Sequence, residues 1–191
     1  MTIEFIIICL SMFFWIFPAA KQYRTQLFWY FLVLALMDPV IMIIRSTIKT
    51  SSPQMTMVLS FILLLSVMLS LINKYSTRVL LLAASSLLLF SFFSSRIFAT
   101  NLMILFHLTI IYFFIRRTFY FIANNGTVNI FHVFLLLEEI SIVLKILAVL
   151  TEAKTGIAYF YATSFFQVLI AIFFTIFKED DNKLFIDLKN V

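Results

Sequence analysis

The sequence predicts an all-α integral membrane protein in which about seven transmembrane helices form a single bundle. The 191 residues are 63% apolar and 12% charged, whereas soluble domains average about 45–50% apolar and about 25% charged. Seven stretches approach the roughly 20 apolar residues that a membrane-spanning helix needs, and short connectors join them. We therefore predict one seven-helix transmembrane domain over residues 1–177 and a short cytoplasmic tail over residues 178–191.

The predicted spans are residues 3–19, 26–44, 55–73, 79–94, 97–115, 128–150 and 157–177. The first is read as a retained helix, because its start is acidic and residues 18–20 form a poor signal-peptide cleavage site. Only Ser95 and Arg96 separate the fourth and fifth spans. A long tilted pair or a re-entrant hairpin is the alternative there.

The distribution of lysine and arginine predicts an outside N-terminus and a cytoplasmic C-terminus, because cytoplasmic loops carry the excess of both. In this orientation the inner side receives nine basic residues and the outer side four. The inner residues are Lys21, Arg24, Lys74, Arg78, Arg116, Arg117, Lys178, Lys183 and Lys189, and the outer ones are Arg45, Lys49, Arg96 and Lys154. We expect a multi-pass protein of the plasma (inner) membrane. The expected anchors at the membrane surface are Arg116, Arg117, Trp15, Trp29, Tyr23 and Tyr30.

The sixth span carries charges near its middle. Glu138, Ser141, Lys145, Ala148 and Glu152 follow a 3–4–3–4 spacing, which places them on one face of a helix. On insertion scales, roughly sixteen large apolar residues contribute about −7 kcal/mol and three charges about +9 kcal/mol. The helix is marginal alone, so we expect this polar seam to face the bundle interior.

Ionisable side chains on other spans reach similar depths, and we predict a polar cluster in the outer half of the bundle. Lys145 is expected to meet a carboxylate of another helix, with Asp38 as the candidate. The cluster either fixes helix register and pairing only or binds a ligand or relays protons. Its predicted members are Asp38, His107, Glu138, Lys145 and Gln167, with Glu139 and His132 nearby.

Several kinds of chemistry lack their motifs. The single cysteine, Cys9, excludes an internal disulfide and a cysteine zinc cluster, and no metal or other cofactor is predicted. Glu138-Glu139 matches the first pair of the EExxxR motif of CPBP-type intramembrane proteases, but Val143 replaces the arginine. An enzyme is therefore not favoured, and no nucleic-acid partner is expected, because the basic residues lie at helix ends.

The favoured function is a membrane-embedded sensory or accessory signalling subunit. Its expected partners are the lipid bilayer and a membrane or cytoplasmic protein, bound through the inner loops and the tail residues Leu184, Ile186 and Leu188. Their alternation predicts an extended strand that needs a sheet edge to pair with, and a frayed tail on the lipid surface is the alternative. The rival function is a small proton- or cation-coupled transporter or channel subunit.

Overall fold

The structure, a computed structural model, describes residues 3–48, 52–71, 95–150 and 156–187. Within these ranges the chain is mostly helical, with six α-helices and two short strands. The helices are α1 (Ile3–Lys21), α2 (Phe28–Ile48), α3 (Ser52–Leu71), α4 (Arg96–Asn125), α5 (Ile130–Leu150) and α6 (Gly156–Ile176), and the strands are β1 (Thr127–Asn129) and β2 (Phe185–Asp187). The predicted fourth span, residues 79–94, lies outside the described residues.

Helix α4 is longer than the predicted fifth span, which was expected to end at residue 115. It has 30 residues, or about 45 Å at the rise of an α-helix. The Ser95 hydroxyl accepts a hydrogen bond from the Phe98 amide and so caps its start. Gly126 ends it in the left-handed region at φ 66°, where a residue with a Cβ atom is disfavoured. Arg116 and Arg117 do not end the helix, because arginine is a good helix former.

The described helices pack as a closed ring. Each helix packs against the next one along the chain, and α6 packs against α1. Large aromatic side chains from opposite sides meet inside the ring. Phe31 of α2 contacts both Phe131 of α5 and Phe174 of α6, with 4.9 Å between its ring centroid and that of Phe174. These fully buried rings form the core at one end of the bundle.

The outward faces of the helices are apolar. On α5 the residues Leu137, Ile140, Leu144 and Leu147 are exposed at helical spacing. In the described part, Pro53–Ser70 and Arg96–Asn125 are the two helical segments long and apolar enough to cross a membrane. Shorter apolar segments occur in α1, α2 and α6. Of the expected surface anchors, Trp29 and Tyr23 are exposed. The expectation is wrong for Trp15 and Tyr30, which are buried in the core.

The tail folds back onto the bundle. Strand β2 pairs antiparallel with β1, with Ile186 opposite Val128. The Phe185 ring stacks on Phe121 of α4 with 5.5 Å between centroids, and Leu184 is buried. Residues 185–187 are therefore extended, as the alternation predicted, and the sheet edge that they pair with belongs to the same chain.

Candidate functional site

A continuous chain of hydrogen bonds crosses the bundle interior and joins four helices. The Tyr30 hydroxyl on α2 donates to Glu139 Oε1 on α5 over 2.7 Å. Glu139 Oε2 lies 2.8 Å from His107 Nδ1 on α4, and His107 Nε2 lies 3.0 Å from Ser60 Oγ on α3. All four residues are fully buried. We call Ser60, His107, Glu139 and Tyr30 the central chain.

The central chain can hold His107 in either protonation state. A neutral ring donates from Nδ1 to Glu139 and accepts from Ser60, whereas a protonated ring donates from both nitrogens. The Ser60 hydroxyl both donates and accepts, so neither state leaves a ring nitrogen without a partner. The arrangement can therefore gain or lose one proton without breaking its hydrogen bonds.

The same hydrogen-bond arrangement occurs in a serine–histidine–carboxylate triad, in which the carboxylate contacts one ring nitrogen of the histidine and the serine hydroxyl contacts the other. Ser60 has no exposed surface. A substrate carbonyl therefore has no approach to its hydroxyl in this conformation. The contacts support a proton-holding or structural role for the central chain better than nucleophilic catalysis.

A second polar group lies beside the central chain, between α5 and α6. Lys145 Nζ donates to Gln167 Oε1 over 3.3 Å, and the Gln167 side chain is also within hydrogen-bonding reach of the Glu138 carboxylate. Lys145 interacts electrostatically with both Asp38 of α2 and Glu138. The predicted cluster members Asp38, Glu138, Lys145 and Gln167 are thus brought together, and we call these four residues the Lys145 group.

Asp38 occupies a distinct position in the Lys145 group. Its side chain is exposed, whereas that of Glu138 is only 1% exposed. The Lys145 group therefore extends from the surface of α2 to the buried face of α5.

His132 belongs to neither group, although the sequence places it on the same face as Glu139. It lies at the end of the bundle where the tail docks, and its Nε2 is 3.2 Å from Glu179 Oε1. Arg117 of α4 donates to the same carboxylate oxygen, and Asn129 donates to the Glu179 carbonyl over 3.1 Å. We call Arg117, Asn129, His132 and Glu179 the tail clasp.

Sequence reasoning missed five residues that complete these sites. Tyr30 and Arg117 were read as anchors at the membrane surface, and Ser60 lies in an apolar span without a pattern around it. Glu179 lies in an acidic run, and Asn129 was not singled out. A signal for Glu179 does exist, because His132 and Arg117 are polar side chains beside membrane-length segments and need partners. For Tyr30 and Ser60 no sequence signal identifies the partner helix.

The fold and its interior define a helical-bundle protein with an ionisable core. Any more specific assignment of function rests on the residues of this chain alone. No protein family, curated protein sequence or solved structure matches this chain.

Proposed function

We propose that this chain is a multi-pass membrane protein of about seven spans that senses a small ligand in its polar interior and relays the state to its cytoplasmic tail. In this proposal the N-terminus lies outside the plasma membrane, and the tail clasp lies at the cytoplasmic end. The ligand enters beside the exposed side chain of Asp38, on the outer side of Glu138. The output is the docking state of residues 178–187, which a membrane or cytoplasmic partner reads.

The membrane location is supported by the outer surface of the bundle. Large apolar side chains are exposed on several helices, for instance Phe13 and Ile16 on α1, Leu105 on α4 and Leu144 on α5. Soluble monomers rarely expose contiguous apolar patches larger than a few hundred Å². Charges instead gather inside the ring, where ionisable side chains of membrane helices are normally found.

The observation that carries the sensor proposal is that helices α4 and α5 each contribute a residue to the central chain and another to the tail clasp. Helix α4 supplies His107 to the central chain and Arg117, ten residues later, to the tail clasp. Helix α5 supplies Glu139 to the central chain and His132, seven residues earlier, to the tail clasp. Along a helix these separations are about 15 Å and about 10 Å. A movement of α4 relative to α5 at the central chain therefore also moves Arg117 and His132, the partners of Glu179 in the tail clasp.

Hydrogen exchange on the protein in lipid nanodiscs tests this relay. Glu139→Gln keeps the side-chain volume but weakens the bonds from Tyr30 and His107, and we expect faster exchange of the Phe185–Asp187 amides. Thr109→Ala is the matched control, because Thr109 lies two residues from His107 on α4 but is only half-buried, and its hydroxyl donates to Leu105 of the same helix. Unchanged exchange of the tail in Glu139→Gln would rule out the relay.

A proton- or cation-coupled transporter or channel subunit is the second candidate. The central chain favours it, because hydrogen-bonded ionisable groups inside a membrane protein often form proton pathways. Proteoliposomes that hold the intact chain should then take up protons or cations, and Glu139→Gln should abolish the flux. If the intact protein gives no flux, this candidate is excluded.

Partner binding is proposed to use the exposed side of the docked tail. Leu184 is buried, whereas Ile186 is 47% exposed and available for contact, and Leu188 lies outside the described residues. Deletion of residues 183–191 should leave the bundle folded and release the partner. Identification of co-purified proteins with and without this deletion tests the proposal, and equal recovery of the same partner would contradict it.

A further inference from the structure

The polar interior carries more acidic than basic groups among its described side chains. Asp38, Glu138 and Glu139 are acidic, and Lys145 and His107 are the basic residues beside them. Both oxygens of Glu139 have hydrogen-bond partners, in Tyr30 and His107. Lys145 interacts with Asp38 as well as with Glu138. Even if His107 is protonated, two basic groups face three carboxylates.

The incompletely satisfied carboxylate is Glu138. Its Oε2 atom is buried and has no hydrogen-bond partner among the residues that the structure describes. Ser164 of α6 is 2% exposed, and its buried Oγ likewise lacks a partner within the described ranges. Ser164 lies one turn before Gln167, so the two share a face of α6, and Gln167 reaches Glu138. Two unpartnered oxygen atoms thus lie in the same region of the α5–α6 interface. A buried polar atom without a partner is costly, and a native protein normally satisfies it.

We propose that Glu138 and Ser164 bind a small cation with a single positive charge, either an alkali-metal ion or the primary ammonium group of a larger ligand. The two free atoms are both oxygens, which suit hard cations and N–H donors. Among the described side chains the carboxylates outnumber the basic groups, so a positive charge is favoured. An anion is disfavoured, since Glu138 already interacts electrostatically with two other carboxylates, Glu139 and Asp38. This inference rests on the sensor proposal, because it names the ligand class that the sensor recognises.

Thermal unfolding in nanodiscs of zwitterionic lipid tests the site. The wild type is compared in sodium, potassium, methylammonium and N-methylglucamine chlorides at one pH and one ionic strength. We expect one of the first three cations to raise the Tm by about 5–10 °C at about a hundred times its dissociation constant. A shift with sodium or potassium alone identifies a metal-ion site. A shift with methylammonium alone identifies an amine site.

Variants of Glu138 and Ser164 test whether the rise in Tm comes from cation binding at their oxygen atoms. Glu138→Gln should lose it, whereas Thr109→Ala on α4, which belongs to none of the polar groups, should keep it. If Glu138→Gln does not fold, Ser164→Ala serves instead, and the cation concentration for half the shift should rise several-fold. An unchanged midpoint in Ser164→Ala, or an equal shift in Glu138→Gln, overturns the proposal.

Two further outcomes are decisive. If no cation shifts the wild type and Glu138→Gln alters only the pH dependence of the Tm, a proton neutralises Glu138 and the proposal fails. Hydrogen exchange of the tail amides distinguishes failure of the cation site from failure of the sensor proposal. Cation binding with unchanged exchange of Phe185–Asp187 refutes the relay alone, whereas a tail response to Glu139→Gln without any cation shift refutes the cation site alone.

Discussion

Replacement of Tyr30 by Phe removes one hydroxyl and isolates its hydrogen bond to Glu139. The two atoms lie 2.7 Å apart, and both residues are fully buried. The ring stays, and so do its edge contacts with Phe31 and Phe114. Hydrogen bonds to charged groups contribute about 1.5–3 kcal/mol in soluble proteins, whereas bonds between membrane helices average about 0.6 and reach about 1.7 kcal/mol. We expect Tyr30→Phe to lower the free energy of unfolding by about 1–2 kcal/mol.

Thermal unfolding in nanodiscs measures this change, which corresponds to a fall in Tm of roughly 2–8 °C for a chain of this size. Tyr112→Phe is the control, because its ring is 60% exposed, and a surface change of this kind costs less than about 0.5 kcal/mol. A double-mutant cycle with Glu139→Gln should give a coupling energy of at least about 0.5 kcal/mol. Equal Tm values for Tyr30→Phe and Tyr112→Phe would refute the claim that the central chain stabilises the bundle.

Three other substitutions test separate parts of the structure. Glu179→Gln weakens the acceptor for Arg117 and His132, so hydrogen exchange of β2 should become several-fold faster, and an unchanged rate would contradict the tail clasp. Gly126→Ala should cost about 1–2 kcal/mol, because its φ of 66° disfavours a Cβ atom; thermal unfolding measures this, and a neutral result would argue against the left-handed turn. Leu144→Lys, on the outer face of α5, should cost about 3 kcal/mol on insertion scales, and a membrane-inserted yield equal to that of wild type would show that this face does not meet lipid.

Helices α5 and α6 were predictable because the limits of their long apolar runs coincide with the limits of the helices. The spans predicted at 128–150 and 157–177 agree closely with Ile130–Leu150 and Gly156–Ile176. Periodicity also identified the side of α5 that faces inward, since residues three and four apart share one face. Glu138 and Ser141 are accordingly buried, whereas Leu144 is exposed.

The partners of the buried polar groups were not predictable. Helix α2 is apolar on all its faces around Tyr30, so its sequence has no pattern that shows which face points inward. The inward orientation of Tyr30 therefore could not be predicted. Tyr30 and Glu139 are 109 residues apart along the chain, and only the packing of the ring brings them together. His132 and Glu139 share a helical face, as expected, but about 10 Å of rise separates them, and this distance assigns them to different sites.

The acidic run at residues 179–181 shows that a role can be assigned to a charged residue only once its burial is known. Glu179, Asp180 and Asp181 are alike in sequence, and all three read as a solvated turn. Only Glu179 is buried. Helix α4 continues past residue 115, where its span was predicted to end, and this extension carries Arg117 to Glu179. An ion pair inside the protein is screened by salt less than an exposed one. Tail docking should therefore persist at high salt if Glu179 supplies the attraction, and it should weaken if Asp180 and Asp181 do.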